Sequence, residues 1–180
     1  MPSIRVDSRI FVFEDDWLVM KYDDTPYYQH RFKGVCRGTR KGGMSAVDLI
    51  AMKQSGHEHV LYLIESKDYR NSRREKALHP ADEFTKKVLD TLSGVLPTVL
   101  CSETSEDGED VLREQMKSAT GLRLVFQFEQ PQKPSKLFPR PFDPADIQAK
   151  IRGNLRAIDP HALVIDRSNQ TKVNWTVRDY

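Results

Sequence analysis

The feature that most constrains this chain is an apolar strand that ends in charge. Residues 60–64 form an apolar run, and Glu65, Ser66 and Lys67 follow it without a glycine or proline to mark a turn. Because alternate side chains of a strand share a face, Glu65 and Lys67 lie on the same face, about 6.6 Å apart along the strand. The sequence therefore places a carboxylate and an ammonium together at the end of a core strand.

A second acid lies in the strand-like segment that precedes this one. Asp48 stands in the middle of residues 45–52, between apolar neighbours on both sides. The turn at residues 53–58 leaves no room for a helix before the strand at residues 59–65, so we predict antiparallel neighbours. Sixteen residues separate Asp48 from Glu65. That spacing lets the two carboxylates stand side by side on one face of the sheet.

Such a pair of acids has a defined chemistry. Two carboxylates close together in an apolar setting repel each other, and one stays protonated unless a cation compensates. Carboxylate oxygens, with a backbone carbonyl and water, suit Mg²⁺, for which we expect Mn²⁺ to substitute. Lys67 can then help to deprotonate a metal-activated water and offset charge developing on the phosphoryl group. The residues predict in-line hydrolysis of a phosphodiester.

The length of 180 residues predicts a single domain. The order of strand-like and helical segments predicts a mixed α/β or α+β architecture, and we expect the α/β class, with a mixed sheet flanked by helices. We predict a hairpin of strands 10–13 and 17–22 around Glu14–Asp16, a short helical segment from Pro26, and a final hairpin around residues 167–170. Further elements are helices at 80–92 and 109–118, a strand at 122–128, and a helix entered through Asp143 and Pro144. The stripe Ile147, Ile151, Leu155 and Ile158 of that last helix indicates a core face or, alternatively, a dimer or partner face.

The set Asp48…Glu65-Ser66-Lys67, on two neighbouring strands followed by a helix and a strand, resembles the PD-(D/E)XK nuclease superfamily. The resemblance covers about residues 17–128 and implies a restriction-endonuclease-like core. It leaves a proline-rich linker at about 129–144, and a C-terminal helix and hairpin at 145–180. It implies that Asp48 and Glu65 bind the metal with the carbonyl of Ser66, and that Lys67 is the catalytic lysine.

The chain departs from the family pattern in two places. Val47 stands where the proline of the motif would be, and no clear helix with a further acid precedes Ser45, so Asp23 and Asp24 are the candidates for that acid. Glu-x-Lys alone carries little weight, since it occurs about once per domain by chance. The alternative interpretation is a surface ion pair at a strand end, with Asp48 hydrogen-bonded to a loop.

Basic residues flank the predicted site. With 28 basic and 26 acidic residues, the net charge is only +2, so affinity for nucleic acid depends on local arrangement. The glycine-rich loop at residues 31–43 and the run at residues 70–76 could contact phosphates. Their candidate nucleic-acid-binding residues are Arg37, Arg40, Lys41, Arg70, Arg73 and Arg74. The alternative for the loop is a solvated connection without a ligand.

Composition sets the remaining expectations. The chain has two cysteines with no disulfide pattern and no apolar run long enough for a membrane span, so we expect a cytoplasmic protein with no membrane partner. The expected partners are nucleic acid, with DNA preferred, and a second copy or a larger protein complex. The rival function is a catalytically inactive nuclease-fold subunit, which would bind nucleic acid or dock a protein.

Overall fold

The computed structural model describes residues 1–38, 43–53, 59–71, 78–100, 110–137 and 142–180. Over these ranges the chain forms two sheets with helices between and around their strands, which confirms the predicted α/β class. The strands are β1 (Ser3–Val6), β2 (Arg9–Phe13), β3 (Trp17–Lys21), β4 (Leu49–Lys53), β5 (Val60–Asp68), β6 (Gly121–Glu129), β7 (Leu163–Ile165) and β8 (Trp175–Asp179). The α-helices are α1 (Pro80–Leu100), α2 (Asp110–Lys117) and α3 (Pro144–Asn154).

The larger sheet is mixed and has the strand order β3-β4-β5-β6-β7. Its first three strands are antiparallel neighbours, whereas β5, β6 and β7 run parallel. The predicted antiparallel pairing of the Asp48 and Glu65 segments is confirmed, although residues 54–58 of the connecting turn lie outside the described ranges. Because parallel strands need a crossover, α1 and α2 lie between β5 and β6 in the chain.

Two apolar cores lie on the two faces of this sheet. One joins alternate sheet residues, such as Ile50 and Leu63, to helix residues, such as Phe84 and Ile147. The other joins the opposite face, through Ile64, to a three-stranded sheet of order β1-β2-β8. Alternation along each strand thus puts helices on one side of β5 and the small sheet on the other.

Both predicted hairpins are wrong. Glu14–Asp16 connects β2 and β3, and the segment after β7 leads to β8, but in each case the two strands belong to different sheets. The Trp17 ring lies 5.4 Å from that of Phe13 and 5.6 Å from that of Trp175, between the sheets. Because these aromatic side chains fill the inter-sheet core, each connection passes from one sheet to the other.

The strand predicted at residues 45–52 begins only at Leu49. The N–H of Ser45 donates to Asp90 Oδ2 at 2.8 Å, and the N–H of Val47 donates to Thr91 Oγ1 at 3.0 Å. The side chains of α1 therefore take up backbone groups that a neighbouring strand would otherwise bind.

The helices agree with the sequence pattern more closely. Helix α1 starts at Pro80 as predicted and continues through Pro97 to Leu100. Asp143 caps α3, because its Oδ1 accepts a hydrogen bond from the N–H of Ala145 at 2.8 Å. The α3 stripe is a core face, since Ile147, Ile151 and Leu155 are at most 1% exposed. A short π-type helix, Tyr27–Phe32, follows Pro26.

The ends of the proline-rich segment lie side by side. Gln130 Nε2 donates to the carbonyl of Phe142 at 2.9 Å, and the N–H of Phe142 donates to Gln130 Oε1 at 3.3 Å. The chain then returns to the same fold, because α3 packs against α1 and β7 extends the sheet next to β6. No helix within the described residues is long and apolar enough to cross a membrane.

Candidate active site

Asp48 and Glu65 meet where β4 begins and β5 continues. Leu49 pairs with Ile64, and one further step of this antiparallel register sets Asp48 opposite Glu65. Their exposed fractions are 6% and 1%. The two acids, one just before β4 and one on β5, are therefore buried side by side, as the sequence predicted.

The main chain fixes the orientation of Asp48. The N–H of Ser66 donates to Asp48 Oδ2 at 2.7 Å, so the middle residue of the Glu-Ser-Lys motif holds the acid on the neighbouring strand. The carbonyl of Asp48 accepts the N–H of Tyr22 at 3.0 Å. One carboxylate oxygen and the peptide carbonyl of Asp48 are thus both held by backbone donors.

Two lysines converge on this acid pair. Lys67 Nζ lies 2.7 Å from Glu65 Oε1, as expected for residues on one face of a strand. Lys87, on α1, also lies 2.7 Å from Glu65 Oε1, and its Nζ is 3.7 Å from Asp48 Oδ1. One ammonium group therefore bridges both carboxylates, and it comes from α1, for which the sequence analysis proposed no site residue.

The sequence did contain a signal for Lys87. Glu83, Lys87 and Asp90 recur at helical spacing beside the apolar stripe of Phe84 and Val88. Glu83 and Asp90 are both buried, at 8% and 2% exposed. A polar row next to an apolar stripe on a helix that follows the motif strand indicates a helix face turned towards the site.

Burial dominates the electrostatics of Glu65. Desolvation and then the nearby Asp48 raise the pKa of Glu65 to about 7, although Lys87 and Lys67 act in the opposite direction. Burial works to lower the pKa of Lys67, but the Glu65 and Asp48 carboxylates outweigh it, so the pKa of Lys67 is raised. The Lys67 side chain is consequently protonated at neutral pH, whereas the Glu65 carboxyl group titrates near neutral pH.

A third acid among the described residues, Asp23, interacts electrostatically with Asp48 but does not join the pair as a metal-ligand group. Its pKa is raised to about 6, first by burial and then by Asp48. Its Oδ1 is buried and accepts no hydrogen bond from the described residues. Asp24 instead forms an ion pair with Lys21 at 2.7 Å and is 60% exposed. Asp23, which is buried and interacts with Asp48, is therefore the better candidate for the further acid.

The donor chemistry fits a hard divalent cation. Glu65 Oε2 is buried and accepts no hydrogen bond from the described residues, and carboxylate oxygens are the ligands that Mg²⁺ prefers. Nevertheless, no three His, Cys, Asp or Glu side chains come together as a metal-ligand group within the described ranges. The side chains supply two acids, so a peptide oxygen such as that of Ser66 and water would complete the coordination.

The structure describes two of the six residues predicted to contact nucleic-acid phosphates, Arg37 and Arg70. Arg37 is exposed, whereas Arg40, Lys41, Arg73 and Arg74 lie outside the described residues. The Arg70 guanidinium is 18% exposed and lies 2.6 Å from both Asp68 and Asp179. Since two carboxylates already neutralise Arg70, its structural partners compete with the predicted contact to nucleic acid.

Comparisons with known proteins leave the family open. No protein-family model and no solved structure matches the chain. The chain is similar to a cysteine–tRNA ligase of Neisseria meningitidis serogroup A / serotype 4A (strain DSM 15465 / Z2491), with 28% identity over 173 residues. The match covers 82% of this chain and 24% of the ligase, so the chain spans about a quarter of that protein's length.

Proposed function

We propose that this chain is an Mg²⁺-dependent nuclease, with DNA as the expected substrate. One observation carries the proposal: Asp48, Glu65 and Lys67 converge at the end of β5, where the two acids are buried and Lys67 lies 2.7 Å from Glu65. Two neighbouring carboxylates, one of them in contact with a lysine, are groups that a metal-assisted phosphodiester hydrolysis can use.

Asp48 and Glu65 would hold the cation, together with the carbonyl of Ser66. When bound, Mg²⁺ supplies Lewis-acid chemistry, since it neutralises phosphate charge and lowers the pKa of water. The same charge would remove the repulsion between the two acids, which contributes to the raised pKa of Glu65. The site thus has an electrostatic reason to take up a divalent cation.

Lys67 stabilises charge in this proposal. Its ammonium lies 2.7 Å from Glu65 Oε1, beside the proposed metal position, so we assign it to the negative charge that develops on the transferred phosphoryl oxygens. Lys87 shares both carboxylates and contributes positive charge to the same place. The exposed Arg37 is available to bind the nucleic-acid backbone.

The rival function, a binding or docking subunit without catalysis, also has an observation in its favour. The described residues provide two acidic side chains rather than three; Glu65 already pairs with Lys67 and Lys87, and Asp48 lies 3.7 Å from Lys87. Under this function the acid pair is a structural ion-pair network.

Cleavage of labelled plasmid, single-stranded DNA and RNA in Mg²⁺ or Mn²⁺ tests the proposal. We expect Lys67→Ala to lower the cleavage rate about 100-fold, since one group that stabilises transition-state charge contributes about that much. Lys53→Ala is the matched control, because Lys53, like Lys67, lies in the last two residues of a strand and pairs with acids, at 3.7 Å from Glu14 and 3.6 Å from Asp16. We expect it to cleave at the parental rate.

Two results would count against the proposal. Equal cleavage by the parent and Lys67→Ala would place the activity elsewhere. Absence of cleavage by the parent on every substrate, with either metal, would favour the binding subunit.

A further inference from the structure

Arg9 is a buried cation that crosses from the small sheet to the strand carrying the site. It lies on β2, and its exposed fraction is 2%. Its Nη2 donates to Ser66 Oγ at 2.5 Å and to the carbonyl of Gln127 at 3.4 Å, and its Nη1 lies 3.8 Å from Glu129 Oε1. Burial of a guanidinium group destabilises a protein unless the group is paired and hydrogen-bonded, so the contacts of Arg9 matter for stability.

The contact falls on the residue that holds the acid pair together. Ser66 is the middle residue of the motif, and its side chain projects to the face opposite Glu65 and Lys67. Its N–H donates to Asp48 Oδ2 at 2.7 Å. Arg9 therefore binds Ser66 from behind the sheet while the Ser66 backbone binds Asp48.

A second set of contacts ties the same strand end to the small sheet. Ser8 Oγ donates to Asp68 Oδ2 at 3.2 Å, immediately before β2. Arg70 joins Asp68, the last residue of β5, to Asp179, the last residue of β8, with both distances at 2.6 Å. The small sheet thus contacts β5 on either side of Lys67.

From these contacts we infer that Arg9 is a positioning residue, which holds Ser66 so that Asp48 and Glu65 keep their mutual arrangement. It acts through Ser66 and does not touch the reacting groups. The inference rests on the proposed function for its effect on metal binding, but the positioning of Ser66 is measurable without any metal.

The first test is amide hydrogen exchange at residue 66, read by NMR, in the parent, Arg9→Met and Ser66→Ala. We expect protection at residue 66 to fall about 10-fold further than at Leu63, in the middle of the same strand. Phe11→Leu is the matched control, because Phe11 lies on the same face of β2 and is also fully buried, but its side chain belongs to the apolar core between the sheets. It should lower protection at both positions equally.

The second test is the Kd for Mn²⁺, measured by titration of each folded variant. Removal of a group that supports a metal ligand costs about 10-fold or more in affinity, so we expect that rise in Kd for Arg9→Met and Ser66→Ala. Phe11→Leu should bind Mn²⁺ as the parent does, and Glu65→Gln should not bind it at this site.

The outcomes separate the two proposals. If the parent binds no Mn²⁺, the proposed function fails, and the exchange at residue 66 alone decides the role of Arg9. Unchanged protection at residue 66 in both variants, or an equal loss in Phe11→Leu, would overturn the role of Arg9. If Arg9→Met does not fold, Ser66→Ala carries both tests.

Discussion

Replacing Glu65 by Gln should stabilise this protein at alkaline pH. The pKa of Glu65 is raised from 4.5 to about 7, and the carboxyl group is almost fully buried. Glutamine has the same shape as protonated glutamic acid but cannot ionise. The substitution therefore keeps the form that the folded site prefers and removes the form that burial and Asp48 penalise.

The magnitude follows from linkage between proton binding and folding. Below pH 4.5 both the folded and the unfolded chain bind the proton, so Glu65 gives its full contribution to stability there. Between pH 4.5 and 7 the unfolded chain releases the proton while the folded chain keeps it, so the free energy of unfolding falls as pH rises. The rise of the Glu65 pKa from 4.5 to about 7 corresponds to about 3 kcal/mol of unfolding free energy, lost by the time the pH exceeds 7.

Urea denaturation at pH 5 and pH 8 without divalent metal measures the effect. We expect Glu65→Gln and the parent to differ little at pH 5, and the variant to be more stable by about 3 kcal/mol at pH 8. The parent and the variant share every other titrating group, including Asp23, whose raised pKa gives a slope of the same sign. Their difference therefore isolates Glu65.

Asp82→Asn provides the control of opposite sign, since Lys150 lowers the pKa of Asp82. Relative to the parent, the Asp82→Asn variant should not become more stable when the pH is raised from 5 to 8. A Glu65→Gln variant that is less stable than the parent by the same amount at both pH values would refute the reasoning. It would mean that the ionised carboxylate is stabilised by its two lysines, and that the pKa of Glu65 is not raised.

Two further predictions concern α1. Lys87→Met should lower the free energy of unfolding at pH 8 by about 2 kcal/mol, because the buried Glu65 carboxylate then loses a charged partner. The loss should be smaller at pH 5, where Glu65 is protonated. Urea denaturation at the two pH values checks this prediction, and an equal loss at both would contradict it. Gly94→Ala should cost about 1–3 kcal/mol, because a Cβ there would lie 2.8 Å from the Phe32 ring. A thermal melt should show a lower Tm for Gly94→Ala than for the parent. Gly153→Ala in α3 is the control, and its Tm should not fall, because the added Cβ would have no neighbouring atom within 4 Å.

The local pattern of the sequence was enough to predict the acid pair. An apolar run ending in Glu65, a second apolar segment holding one acid, and a short connection together determine both the strand pairing and the face. Register in an antiparallel pair follows from which residues must be buried. Leu49 and Ile64 are both fully buried, and their pairing sets Asp48 opposite Glu65.

Contacts between distant parts of the chain were beyond the same reasoning. Glu14–Asp16 has the composition of a tight turn, yet its flanking strands separate because Trp17 packs between two sheets. The helical spacing of Glu83, Lys87 and Asp90 indicates a polar face on α1, but the position of Lys87 between Asp48 and Glu65 depends on how α1 packs across the sheet. No local motif distinguishes Arg9, since its partners Ser66 and Glu129 lie far away in the sequence.

The pairing of β2 with β8 has a consequence for the order of folding. Arg9 pairs with Asp179, so this ladder joins the two ends of the described chain. Contacts of such long sequence separation carry a large loop-closure entropy and form slowly. During synthesis, β4, β5 and α1 can associate early, but β2 gains its second neighbour only after residues 175–179 have emerged. The back of the Glu65 strand therefore gains its complete cover, the three-stranded sheet, only once residues 175–179 have been synthesised.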